Sequence, residues 1–172
     1  MPFAGGHFDL IVSNLGLNNF DDRIGAVREC RRVAKNGSVL ALTTNLQGHM
    51  QELYSIFEEV LTRRGLTSEM ASLREHVAHR ATVAAVRELL ESNGFQVTRV
   101  VERTGRMRFA SGSALLHHYF IKLGFLDAWK KVVTGREGEI FPELEEQLDG
   151  YAAGHDGLSL TIPMAYIEAQ AR

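Results

Sequence analysis

Phe8-Asp9-Leu10-Ile11-Val12-Ser13-Asn14 decides how the rest of the chain is read. The run is short and apolar at its centre, with Gly5-Gly6 before it and Gly16 after it, which suits a strand buried on both faces. Asp21 or Asp22 then caps a helix whose apolar positions, Ile24, Val27, Cys30 and Ala34, recur at helical spacing until Asn36-Gly37 stops it. Ser38 to Asn45 (SVLALTTN) reads as a second buried strand. Strand, helix, strand is a crossover unit, and a crossover places its two strands parallel.

Farther along, Leu53, Ile56, Phe57, Val60 and Leu61 predict a helix ending near Gly65. A linking segment from Thr67 to Arg80 leads to Thr82, the expected N-cap of a helix that buries Val83, Val86, Leu89 and Leu90 and closes at Gly94. Phe95 to Glu102 reads as a third strand. Three helices are expected between Gly105 and Gly154, the last opened by Pro142 at a first-turn position. Leu158 to Ala169 alternates as a closing strand in which Pro163 implies a bulge or an edge. The pattern predicts an α/β sheet with a helical lid insertion over 105–154. Ligands of such sheets bind beyond the carboxyl ends of the parallel strands, here Ser13 to Asn19 and Thr43 to His49.

The chain has 172 residues, is 45% hydrophobic and 23% charged, and carries a net charge of −2, which fits a globular domain and excludes a disordered or collagen-like chain. No stretch reaches the roughly 18 to 20 apolar residues of a membrane span, and no secretion-signal layout opens the chain. A cytoplasmic location with no membrane partner is therefore expected. The near-neutral charge predicts no nucleic-acid partner. The single cysteine, Cys30, excludes an internal disulfide and a multi-thiolate metal site. His117 and His118 are adjacent and would diverge by about 100° on a helix, and His76 and His79 have no third ligand or H-E-x-x-H pattern. No metal site is expected, and without G-x-S-x-G no hydrolase elbow is expected either.

Pro2-Phe3, Phe8 to Asn14, Phe20-Asp21-Asp22 and Arg28-Glu29-Cys30-Arg31-Arg32-Val33-Ala34-Lys35-Asn36-Gly37-Ser38 together resemble the class I S-adenosylmethionine-dependent methyltransferases of the small-molecule, type 11 kind. The pattern in that family is P-F, F-D and two hydrophobic residues, a loop, and a helix ending R-V-L-K-P-G-G before a strand. Asn36 and Ser38 stand where the family prefers Pro and Gly, which alters the turn. The resemblance covers Pro2 to Asn45 well, continues in order through Glu102, and returns at Leu158 to Ala169 as the family's last, antiparallel strand. It implies a Rossmann-like methyltransferase sheet that is partial, comprising the fourth to seventh strands, so that residues 1–172 form a single partial domain equivalent to the C-terminal half. The family's glycine-rich cofactor loop has no counterpart here, and tight S-adenosylmethionine binding by this chain alone is not expected.

By resemblance, Asn14, Leu15 and Gly16 approach the cofactor's methionine end, and Asn18 and Asn19 border a small-molecule acceptor. Asn18 occupies a position where close relatives often carry His, so no histidine base is expected there. The plainer reading is that Asn14 and Asn19 close the strand-to-helix turn. Asn45 and His49 follow the second strand at the same rim, Asn45 as an acceptor contact. His49 is the histidine best placed by topology to accept an acceptor proton, or else a solvated loop residue. Tyr119, with Phe120, Phe125 and Trp129, either lines an acceptor pocket or packs the lid.

One consequence is physical. If Phe8 to Asn14 is a central strand with a bare edge and a bare face, Leu10, Ile11 and Val12 each forgo roughly 1.5–3 kcal/mol of burial, comparable in sum to the about 5–15 kcal/mol of a whole domain. A homodimer across that edge, or a missing N-terminal segment, is therefore expected. The alternative function is a catalytically silent methyltransferase-like module that binds itself or a partner through the edge.

Overall fold

The structure, a computed structural model, describes residues 1–172. β1 (Phe8–Asn14), α1 (Arg23–Val33) and β2 (Ala34–Asn45) form the expected crossover, and β1 pairs with β2 in parallel. Asp22 caps α1, its carboxylate accepting from the Gly25 N–H at 2.7 Å. β2 starts four residues earlier than the sequence suggested. Phe8 pairs with Ala34 but Leu10 already pairs with Val39, so residues 35–38 stand against Asp9 alone. The Asn36-Gly37 turn survives as an irregularity inside the strand, with Gly37 at φ +79°, where a side chain would be strained.

The remaining elements are α2 (Gln51–Arg63), α3 (Thr67–Ala78), α4 (Val83–Glu91), β3 (Phe95–Phe109), α5 (Gly112–His117), α6 (Tyr119–Gly124), α7 (Leu126–Val132), α8 (Glu137–Gly154) and β4 (Leu158–Ala171). A short 3-10 turn spans Leu17–Asn19. The sheet order is β1-β2-β4-β3. β4 runs antiparallel to β2 from Met164 opposite Asn45 to Gln170 opposite Val39, as a closing antiparallel strand should.

Several boundaries differ from the sequence reading. The Thr67 to Arg80 link is a helix, α3, anchored by one buried residue, Leu73. Segment 105–154 holds four helices, because His118 adopts an extended conformation and its ring caps α6 at the Phe120 N–H, splitting one apolar stripe in two. Pro142 lies in the second turn of α8, whose buried stripe Ile140, Leu144 and Leu148 carries the helix past it toward Glu137. β3 continues to Phe109, and Pro163 sits just before the residues of β4 that pair with β2, on a strand that is not an edge.

The chain divides into two compact units, Met1–Gln47 with Arg80–Gly105 and Pro163–Arg172, and Gly48–His79 with Arg106–Ile162. In the first, Leu40 and Leu42 of β2 face a core shared with Val27, Val86, Leu90, Phe95 and Ile167, following the two-residue period of a strand. Cys30 packs against this core, and burial, with Glu29 beside it, pushes its thiol up. On the opposite face Leu10 and Val12 are 57% and 67% exposed, and Val39, the register partner of Leu10, is exposed beside them. β1 is also the end strand of the sheet. In the second unit α2 buries Leu53, Ile56, Phe57, Val60 and Leu61. Gly112 lets α5 close on α8, since a Cβ there would stand 2.4 Å from the Leu148 Cβ. Trp129 donates from Nε1 to the Tyr54 hydroxyl at 3.1 Å, and that hydroxyl lies 3.1 Å from His76 Nε2. No helix is long and apolar enough to cross a membrane.

Phe95→Ala, emptying a fully buried site, is expected to cost about 3–5 kcal/mol in urea denaturation. Val12→Lys, on the bare face, is expected to stay within about 0.5 kcal/mol. Comparable destabilisation by both would contradict this assignment of the two faces.

Candidate functional site

The carboxyl ends of β1 and β2 meet at Asn14 and Thr43, which are register partners. Thr43 organises the rim. Its hydroxyl donates to Asn14 Oδ1 at 2.6 Å, while the Leu15 N–H donates both to Thr43 Oγ1 at 3.0 Å and to the Thr43 carbonyl at 3.1 Å. Leu15 needs this restraint because its φ is +54°, a left-handed conformation that a branched residue rarely adopts. Asn19 completes the clamp by donating from Nδ2 to the Leu15 carbonyl at 3.1 Å. Such over-determined backbone strain clusters at binding and catalytic sites.

Asn18 bridges to the next strand end, donating from Nδ2 to the Asn45 carbonyl at 2.8 Å. Asn45 Oδ1 is buried and has no hydrogen-bond partner in the protein, an arrangement that a bound polar group would relieve. Gly16 has a local explanation, since a Cβ there would stand 2.8 Å from Ser13 Oγ and 3.5 Å from the Phe20 ring. Asn14, Leu15, Gly16, Asn18, Asn19 and Asn45 thus converge in the first unit. The turn-closing reading of Asn19 is correct as far as its hydrogen bond goes, whereas the Asn14 side chain, on an exposed residue, is held by Thr43.

His49 and Tyr119 belong to the second unit. His49 is only 3% exposed, and its ring stacks on Phe125 with centroids 5.8 Å apart and planes 13° apart. It is not a solvated loop residue. Tyr119 stands on the exposed side of α6, and Phe125 and Trp129, not Tyr119, pack the interior there.

Two residues were not singled out in the sequence. Thr43 is one: it opens the Thr43 to His49 rim segment, but only the register shows its hydroxyl holding Asn14 and Leu15. Glu52, an acid in the first turn of α2, is the other. It accepts from the Thr161 N–H at 2.8 Å and from the Thr161 hydroxyl, with Arg106 at 3.9 Å, and shares a cleft of about 520 Å³ with Gln51, Ser55, Glu59, Gln147 and Tyr151. Burial alone would raise its carboxyl, but the Thr161 hydrogen bonds and Arg106 outweigh it and hold the group below the ordinary 4.5.

Residues 1–42 match the family model described as a methyltransferase domain. Over 122 residues the chain is 29% identical to the ubiquinone/menaquinone biosynthesis C-methyltransferase UbiE of Shewanella woodyi, covering 68% of this chain and 48% of that protein. The corresponding protein of Shewanella frigidimarina matches with the same identity and coverage. The chain spans about half the length of the curated relatives it matches. Among solved structures, a candidate methyltransferase from Bacillus halodurans shares the fold at a TM-score of 0.54 and 18% identity, over 99% of this chain and 67% of that one. The YcgJ protein of Bacillus subtilis does so at 0.57 and 16%, over 100% and 67%. The α/β sheet described above is that Rossmann-like fold.

A carboxylate whose folded-state value lies below its unfolded one contributes stability above the unfolded value and loses it as the pH falls through the folded one. Glu52→Gln is therefore expected to be less stable than the native chain at neutral pH, the gap narrowing as the pH falls below about 4.5. Urea denaturation across a pH series checks this, and a gap independent of pH would contradict it.

Proposed function

We propose, from the match of residues 1–42 to a methyltransferase domain and the likeness to C-methyltransferases, that the chain belongs to the class I S-adenosylmethionine-dependent methyltransferases and takes part in methyl transfer to a small organic acceptor. The carrying observation is the Thr43-centred rim, in which Leu15 is held in a strained left-handed conformation at the carboxyl end of a parallel strand pair.

S-adenosylmethionine, when bound, supplies an electrophilic methyl group on sulfur, so the protein's work is to position the reactants and exclude water. The donor set supports part of that task. A primary amide both donates and accepts, which suits a zwitterionic amino-acid end, and Asn14 with the backbone of Leu15 and Gly16 would hold it. Asn18, Asn19 and Asn45 border the acceptor, Asn45 Oδ1 being the buried atom still lacking a partner. The histidine proposed as proton acceptor is His49, buried in the second unit, where its stacking on Phe125 fixes the ring plane. With no glycine-rich loop among its residues, the chain is expected to bind S-adenosylmethionine weakly on its own.

A second reading is favoured by the exposed β1 edge with Leu10 and Val12. It is a methyltransferase-like module without turnover that pairs this edge with a second copy or with a partner.

Transfer of label from methyl-labelled S-adenosylmethionine at millimolar concentration to a panel of small organic acceptors separates the two. The first reading predicts transfer, lowered about 10²–10⁴-fold in kcat by His49→Gln, with Asn14→Ala raising the cofactor concentration needed and leaving kcat close to native. No transfer to any acceptor, together with a stable dimer by sedimentation, would overturn it in favour of the second.

A further inference from the structure

Asn-Gly occurs twice in the chain, at Asn36-Gly37 and at Asn93-Gly94, and the first unit holds the two pairs in opposite ways. An asparagine before a glycine carries a latent reaction of its own. Attack of the next backbone nitrogen on the side-chain amide carbon is intramolecular and closes a five-membered ring, and glycine has no side chain to obstruct the approach. The reaction runs where the amide is not pinned at its nitrogen, where the following N–H lies outside a hydrogen-bonded ladder, and where water reaches both.

Asn36-Gly37 meets all three conditions. Both residues are exposed, between the buried Ala34 and Ser38. They belong to the stretch of β2 that has no register partner of its own, since pairing with β1 passes from Ala34 to Val39 and pairing with β4 ends at Val39. Asn36 Oδ1 accepts from Arg31 Nη2 at 2.7 Å, and the amide nitrogen makes no hydrogen bond. Gly37 is held by its carbonyl, which accepts from Gln170 Nε2 at 3.1 Å. A Cβ on Gly37 would meet nothing nearer than that same Nε2, at 3.9 Å, so the surroundings are open. Arg31 is itself fixed, donating from Nη1 to the Ala34 carbonyl at 3.4 Å and from Nη2 to the Arg172 carbonyl. Asn93 is the contrast. It is half-buried, its Nδ2 donates to the Leu89 carbonyl at 2.7 Å and its Oδ1 accepts from Arg28 Nε at 3.0 Å, so its amide is tied at both ends.

We propose that Asn36 is a site of self-catalysed deamidation, assisted by Arg31. The Gly37 N–H gives its proton to a solvent base and its nitrogen bonds to Asn36 Cγ. Negative charge gathers on Oδ1, where the Arg31 guanidinium already donates, as an oxyanion donor does. The Cγ–Nδ2 bond then breaks and the nitrogen leaves as ammonia, taking a proton from solvent. Water adds to either carbonyl of the resulting succinimide and opens it to an aspartyl or an isoaspartyl residue at position 36, with no change of oxidation state. The new carboxylate lies beside Arg31 and forms a charge-assisted pair with it. An isoaspartyl residue also adds one methylene to the main chain, but within the stretch that neither ladder uses, so the pairing from Leu10 and Val39 to Asn14 and Thr43 persists. The inference does not depend on the methyltransferase reading.

Peptide mass spectrometry on the chain after incubation at mildly alkaline pH, folded and in urea, tests it. In the folded chain the amide-to-acid mass gain is expected at position 36, as aspartyl and isoaspartyl forms, at a rate that rises with pH and exceeds that at position 93 by about tenfold or more. In urea the two positions should react at similar rates, and circular dichroism of the modified folded chain should match that of the fresh one. Arg31→Gln should slow the reaction at position 36 by about tenfold or more. No gain at position 36 of the folded chain while the unfolded chain reacts there, or equal rates at 36 and 93 in the folded chain, would overturn the proposal, and both comparisons stand without any variant. An unchanged rate in a folded Arg31→Gln would overturn the part given to Arg31.

Discussion

Everything in the first unit hangs on β2, hydrogen-bonded in parallel to β1 on one side and antiparallel to β4 on the other. Alternate side chains of Val39 to Asn45 point to opposite faces, as the pleat of any strand requires, and Leu40 and Leu42 enter the core. The same ladder delivers Thr43 opposite Asn14. From there the constraint passes through one hydroxyl to the Asn14 amide and through two acceptors to the Leu15 N–H. The left-handed turn of Leu15, the 3-10 turn at Leu17–Asn19 and the clamp from Asn19 follow from that pairing.

The crossover was legible because local and global signals agree there. An apolar run flanked by glycines, an Asp cap and a helical stripe all state the same topology. The register was not legible. Phe8 pairs with Ala34, yet Leu10 pairs with Val39, and only this irregularity brings Thr43 beside Asn14. No spacing in the sequence reveals it. His49 shows a similar limit, since its burial depends on Phe125, far along the chain. α3 was missed because a helix held by Leu73 alone leaves almost no periodic stripe to read. The division of the lid at His118 was hidden because the stripe continues across a residue that the backbone uses as a cap.

Methyl transfer asks little of a protein in the way of nucleophiles and much in the way of placement. The rim matches that demand. Its polar groups are small amides, fixed by hydrogen bonds to backbone and to Thr43 rather than by long charged chains, and one of them, Asn45, keeps a buried oxygen without a partner. The bare side of β1 and β2, carrying Leu10, Val12 and Val39, is the other feature that composition could not disclose. A chain of ordinary length and ordinary charge presents one sheet face finished by helices and another open to whatever pairs with it.

The central claim is that the strand end shaped by Thr43 is where the methyl donor's amino-acid end rests. Amide chemical shifts during titration with millimolar S-adenosylhomocysteine measure this directly, in the native chain and in Thr43→Val. The account predicts concentration-dependent shifts at Leu15, Gly16, Asn18 and Asn19 that disappear in Thr43→Val while the amides of α4 keep their native positions. Shifts confined to other residues, or identical responses in the two proteins, would contradict it.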